Sequence, residues 1–137
     1  MKCLGMDLGS KTLGLATSDK LGVIASPYKN IRYDNIESLI DEVIDLIDEL
    51  KIEVLVLGYP KNMNNSTGES VERVLKFKNM LEEKSNMEVV LIDERLSTVE
   101  AEKYLLDEDK SRSSRKKIID ALAASIILDT YLRKEGK

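Results

Sequence analysis

Histidine is absent from all 137 residues. Without it, Ser-His-Asp and Cys-His catalysis are excluded, as is every histidine-based metal site. Any metal must be held by carboxylates and carbonyl oxygens, which select hard cations such as Mg²⁺ or Mn²⁺. Cysteine occurs once, as Cys3, so no internal disulfide can form, which suits a reducing compartment. No apolar run approaches the ~20 residues that would span a bilayer. Met1 leads directly into Cys3-Leu4-Gly5-Met6-Asp7, with no basic head, apolar core and small-residue cleavage site. No secretory signal is therefore expected, and the expected location is the cytoplasm. Repeats, low-complexity stretches and Pro/Gly-rich linkers are also missing. The length suits one core, so residues 1–137 are expected to form a single domain.

The net charge of −4 is unpromising for a nucleic-acid binder, but it is unevenly spread. Residues 34–53 hold eight acids against Lys51 alone, a local net of −7, which leaves +3 for the other 117 residues. Residues 110–117, KSRSSRKK, hold five basic residues and no acid. One face should repel polyanions and another could attract them.

Short segments separated by turn signals predict an antiparallel meander: Cys3 to Asp7, Thr12 to Ser18 and Val23 to Ile31. From Asp34 the pattern changes. Ile36, Leu39, Ile40, Val43, Ile44, Ile47 and Leu50 recur at helical spacing with acids between them. Val54 to Leu57 reads as a short buried strand ending at Gly58. A helix is expected over Glu69 to Lys84 and another buried strand over Glu88 to Ile92. Ser97 and Glu100 form a capping box for a further helix. The last helix is expected from about Ser114 to Arg133, capped by Ser113 or Ser114. A meander followed by alternating strands and helices predicts a mixed sheet with helices on both faces.

Three acids stand out by position. Asp7 ends a buried strand just before a glycine turn, which puts a carboxylate at a sheet end; the plain alternative is an Asp that turns the chain. Asp93-Glu94-Arg95 follows a buried strand directly, where open α/β sheets hold their ligands, or it is merely a charged surface loop. Asp120 interrupts the apolar stretch from Ile118 to Leu128. At 100° per residue it shares a face with Ala124, Ile127 and Tyr131, while Ser125, Asp129 and Arg133 lie opposite. It therefore points toward the protein body, where an unpartnered charge is costly, unless it simply favours the helix N-terminal dipole. A polar, glycine-bounded segment from Gly58 to Gly68 follows another buried strand and could touch a phosphate backbone or be an ordinary connection. Carboxylates on separate elements are what two-metal phosphoryl hydrolysis requires, and that chemistry needs no histidine base.

With these motifs in view, the chain resembles the YqgF/RuvX family, pre-16S rRNA nucleases that are themselves similar to Holliday junction resolvases. The resemblance covers essentially the whole chain and rests on MDLGSKTLGLATSD (6–19), VLGYPKNMNNSTG (56–68), DERLSTVEAE (93–102) and IDALAASIIL (119–128). It implies an RNase H-like fold with a mixed five-stranded sheet, an antiparallel N-terminal meander followed by parallel strands. It also implies a catalytic and metal-binding triad of Asp7, Glu94 and Asp120 holding Mg²⁺ or Mn²⁺. Nucleic-acid contacts are expected from Lys11, Lys61, Asn62, Arg95, Arg112, Arg115 and Lys116. Two positions depart from the family pattern: Thr12 stands where Arg is common, and Asn65 where Gly is usual. Asn tolerates left-handed backbone, so that turn should survive. The resemblance puts pre-16S rRNA first as substrate and branched DNA second, and it fits a monomer or a homodimer. A non-catalytic RNA-binding assembly factor would keep the basic segment and make the acids dispensable. An actin-like or sugar-kinase nucleotide binder shares the Asp7-to-Gly14 hairpin but needs two such domains around ATP.

Overall fold

The computed structural model describes residues 1–59, 68–93 and 112–135; within these, the side chains of 68, 69, 93, 112–120 and 135 are excluded. Five strands, β1 (Cys3–Leu8), β2 (Thr12–Ser18), β3 (Ala25–Arg32), β4 (Val54–Tyr59) and β5 (Val89–Asp93), form one sheet in the order β3-β2-β1-β4-β5. β1, β2 and β3 pair antiparallel, while β4 and β5 join β1 in parallel. The helices among the described residues are α1 (Ile36–Leu50), α2 (Gly68–Ser85) and α3 (Arg112–Glu135). The mixed sheet with its N-terminal meander is the expected one. None of these helices is long and apolar enough to cross a membrane.

Strand periodicity divides the core in two. Leu4, Met6, Leu8, Leu13, Leu15, Leu55 and Leu57 point to one face and pack with Leu39, Ile40, Val43 and Ile47 of α1 and Val74, Phe77 and Leu81 of α2. On the other face Cys3, Ala16, Val56 and Ile92 pack with Ala124, Ile127, Leu128 and Leu132 of α3. Successive strand residues alternate faces, so this separation into two layers follows from the period of two.

α1 forms where its apolar period begins. The Asn35 side chain caps it by accepting the Ser38 N–H at 2.8 Å, and Lys51 closes it in the left-handed region at φ 59°. Its acids Glu37, Asp41, Glu42, Asp45, Asp48 and Glu49 are all exposed. The third strand starts at Ala25, two residues later than the sequence pattern suggests. Asp19 explains the delay: its Oδ1 accepts the N–H groups of Val23 (2.7 Å) and Ile24 (3.0 Å), holding both in the turn. These backbone hydrogen bonds also keep the Asp19 carboxyl below the usual carboxylate range.

The last helix begins at Arg112, so Ser113 and Ser114 lie inside its first turn rather than capping it. The basic segment thus belongs partly to the helix, which carries no acid in that turn. Ser125, expected on the solvent side, is buried at 6% exposure and donates its hydroxyl to the Leu122 carbonyl at 2.8 Å. α3 contacts all five strands, so its buried arc is wider than one stripe. The helix expected at Ser97 lies outside the described residues.

Edge strand β5 is fixed at its start by Glu82 of α2. One carboxylate oxygen accepts the Val89 N–H at 2.9 Å and the other meets Lys78 Nζ at 3.0 Å. The Val89 N–H, then Lys78, hold the carboxyl below its ordinary range. Its stabilisation is therefore present above the unfolded carboxyl pKa and lost as pH falls through the lower folded value. Glu82→Ala should cost about 1 kcal/mol at neutral pH, the ordinary scale for one partly exposed hydrogen bond. Urea unfolding should show the difference from wild type shrinking below about pH 4; a difference constant down to pH 2 would contradict this role.

Candidate active site

β1 is the central strand, with two neighbours on each side, so a residue at its C-terminal end lies in the middle of one sheet edge. Asp7 occupies that place, half-buried. Met6 and Leu8 turn into the core beneath α1 and α2, so Asp7 shares the opposite face with Cys3 and Gly5, the face covered by α3. Its antiparallel partner on β2 is Gly14, so no side chain competes for the space on that flank. On the β4 flank Met6 pairs with Leu57, and the next residue of β4 is Gly58. The same edge includes the ends of β4 and β5, where Tyr59 pairs with Asp93.

The turn after Asp7 is tied closely. The Gly9 N–H donates to the Thr12 carbonyl at 2.8 Å, and the Tyr33 N–H donates to the Lys11 carbonyl at 3.0 Å. The Tyr33 hydroxyl donates to the Gly9 carbonyl. Burial pushes the Tyr33 phenol up, partly opposed by Arg73, so it remains a neutral donor across the physiological range. Sequence reasoning missed Tyr33, since its partners lie 22 to 24 residues upstream and are reached only through the order β1-β2-β3. Lys11 is exposed in the same turn.

α3 approaches β1 at Gly5. A Cβ there would lie 2.7 Å from Leu128 Cβ and 2.9 Å from the Ala124 carbonyl oxygen, so only glycine admits the helix this closely. Asp120 precedes Ala124 by one turn on that helix, and Ala124 and Ile127, expected on its face, are both buried. Cys3 is buried as well, and burial raises its thiol pKa, which makes it a core residue rather than a nucleophile.

Of the expected triad, the described side chains include Asp7 alone. Glu94 lies outside the described residues, next to the end of β5, and the Asp120 side chain is likewise excluded. Lys61, Asn62 and Arg95 lie outside as well, while Arg112, Arg115 and Lys116 are placed on the first turns of α3 with their side chains excluded. No group of three metal-ligating side chains occurs among the described residues. The exposed acids of α1 lie on the face of the sheet away from Asp7, so that cluster of negative charge stands behind the candidate site.

Known proteins share both the sequence and this architecture. A protein of Clostridium kluyveri carrying the name "Putative pre-16S rRNA nuclease" is 45% identical over 137 residues, with both chains covered completely. One of the same name from Ligilactobacillus salivarius is 46% identical over 99% of this chain and 95% of its own. Among solved structures, Thermus thermophilus RuvC in complex with a Holliday junction substrate superposes with a TM-score of 0.62 at 16% identity, covering 98% of this chain and 96% of that one. The Fowlpox virus resolvase with its junction DNA gives 0.57 at 13% identity, with both chains covered completely. The fold is thus the RNase H-like fold of the RuvC-type resolvases. The sequence profile described as "RuvX: Holliday junction resolvase" matches residues 1–134, and this chain belongs to the RuvX family.

Proposed function

We propose that this chain is a single-domain, cytoplasmic, metal-dependent nuclease that hydrolyses phosphodiester bonds in the precursor of 16S rRNA, with Asp7, Glu94 and Asp120 as its catalytic carboxylates. The observation that carries this is the placement of Asp7: a half-buried acid at the end of the central strand, on the face covered by α3, opposite a glycine. Two distances support the addition of Asp120. From the shared contact at Gly5, Asp7 lies about 7 Å along β1 and Asp120 about 6 Å along the helix from Ala124. The proposal takes the helix to run antiparallel to β1, which would bring both to the same end of the sheet. Val90 and Ile92 belong by parity to the face of Asp7, and the same count along the sequence favours Glu94 over Asp93 as the third acid.

The donor chemistry fits Mg²⁺ or Mn²⁺, because a carboxylate set with no histidine in the chain offers hard oxygen ligands only. Such a cation would neutralise charge at the scissile phosphate and lower the pKa of the attacking water. The protein's own contribution is to hold the carboxylates on rigid elements and to orient the strand through Lys11 and the basic residues Arg112, Arg115 and Lys116. Lys61, Asn62 and Arg95 are further candidates for the strand path.

A second substrate has its own support: the family description and the resolvase structures point to a four-way DNA junction. The deciding experiment incubates wild type with precursor 16S rRNA, linear single strands and four-way junctions, in Mg²⁺, Mn²⁺ or excess chelator. Cleavage of the precursor rRNA alone supports the RNA assignment, whereas symmetric nicks in the junction favour resolution. Affinity for Mg²⁺ alone should be modest, since substrate phosphates complete its shell. Cleavage should stop in chelator and return with added metal; undiminished cleavage in chelator removes the metal-dependent reading. Binding without cleavage in any metal would leave an RNA-binding assembly factor.

A further inference from the structure

Arg32 is the last residue of β3, exposed, and its side chain forms no hydrogen bond or ion pair among the described residues. The residues on either side, Ile31 and Tyr33, both pack into the core beneath α1. Arg32 therefore projects from the other face, the one that carries Asp7. The strand register fixes the relation. Asp7 pairs with Gly14 and Gly14 with Asn30, so these three form one row across β1, β2 and β3. Arg32 stands two residues beyond Asn30 and directly opposite Thr12, in the next row toward the end of the sheet that bears Asp7. Two strand spacings put it about 10 Å to the side of Asp7, and two residues put it about 7 Å further out. Lys11 lies in the turn between; no acid occurs from Lys20 through Tyr33, and the exposed Asp34 follows two residues after Arg32. The exposed acids of α1 are on the reverse face, so a polyanion meets positive charge here without competition from them.

We infer that Arg32 is a positioning residue that grips a backbone phosphate one or two nucleotides from the bond cleaved at Asp7. This rests on the nuclease reading above and adds a contact on the β3 side of the site, opposite the flank of β4 and β5. A guanidinium suits the task because its planar fork can bond two phosphate oxygens at once. Its lateral offset from Asp7 makes it a strand-orienting contact rather than a group at the reacting phosphorus. The competing explanation is that a charge at the end of an edge strand merely discourages sheet-to-sheet association.

The test measures binding of a labelled RNA spanning the 5′ end of 16S rRNA, in chelator, by wild type, Arg32→Gln and Arg32→Lys. Both substitutions are at an exposed position, so all three proteins should melt alike. Arg32→Gln should weaken binding roughly five- to tenfold and lower the salt slope by about one. Arg32→Lys should restore the slope but only part of the affinity, since an ammonium lacks the fork. Replacing single phosphates by uncharged methylphosphonates locates the contact: at one position near the cleaved bond the penalty seen with wild type should vanish with Arg32→Gln. Equal affinity and salt slope for wild type and Arg32→Gln overturn the proposal, as do methylphosphonate penalties identical in the two proteins at every position. Wild type that binds this RNA yet never cleaves it in Mg²⁺ or Mn²⁺ removes the nuclease reading, while the phosphate contact is still decided by the binding series. Wild type that binds neither this RNA nor a four-way junction removes both.

Discussion

Asp7→Asn should lower the rate of phosphodiester cleavage by at least about a hundredfold while moving the melting temperature by only a few degrees. The two effects separate for an electrostatic reason. Asparagine keeps the shape of the side chain and one carbonyl oxygen, so the packing of β1 against β2 and β4 is undisturbed. Under the proposed mechanism, what disappears is one negative charge of the carboxylate set that would hold the cation in a chain without histidine. If Asp7, Glu94 and Asp120 converge as proposed, they repel one another when no metal is bound, so removing one charge should cost little stability. The measurement pairs single-turnover cleavage, at saturating enzyme, with thermal melting in chelator and in Mg²⁺. Wild type should gain stability on addition of Mg²⁺ with substrate, and Asp7→Asn should gain less. Unchanged single-turnover rates in Asp7→Asn would remove Asp7 from the catalytic set and, with it, the central placement of the site.

How far the sequence anticipates this structure depends on whether a feature is periodic or relational. The α1 pattern from Ile36 to Leu50 is periodic, and the helix occupies those limits. β2 likewise matches Thr12 to Ser18, and β5 is displaced from its expected span by a single residue. The start of β3 differs from the pattern because Val23 and Ile24 look like strand residues, while the Asp19 carboxylate that holds them in a turn gives no periodic signal. The angle of Ser125 on the helix, taken alone, predicts exposure to solvent. How much of that angle is covered depends on how many strands the helix crosses, which no helical wheel contains. Asp7 was identifiable because an acid followed by glycine at a strand end is a local pattern. Arg32 and Tyr33 were not, because their relation to Asp7 exists only once β3, β2 and β1 are in register.

Gly5 is where that register meets the helix layer, and Gly5→Val should be among the most destabilising single changes in the chain. Even the first added carbon would lie 2.7 Å from Leu128 Cβ and 2.9 Å from the Ala124 carbonyl oxygen. Neither contact can be relieved by rotating a flexible side chain: one atom is fixed to the backbone of α3 and the other is backbone. The helix must therefore move away from β1 and carry Ala124, Ile127 and Leu128, all fully buried, with it. Overpacking of this kind costs about 1–3 kcal/mol for one carbon and more for a branched side chain. For a domain of this size the loss corresponds to a melting point lower by several degrees for Gly5→Ala and by more for Gly5→Val. A second consequence separates this from ordinary core damage. Because α3 carries Asp120, a helix displaced at Gly5 should also disturb the proposed pairing of Asp120 with Asp7. A misplacement of about 1 Å in a reacting constellation costs roughly a hundredfold in rate. Gly5→Ala should therefore lose cleavage at temperatures where it is still fully folded, as shown by near-ultraviolet circular dichroism. A core substitution of similar thermal cost away from this contact, such as Phe77→Leu on α2, should keep most of its activity when folded. If Gly5→Ala and Phe77→Leu lose activity in equal proportion to their stability, the Gly5 contact sets the fold but not the spacing of the carboxylates.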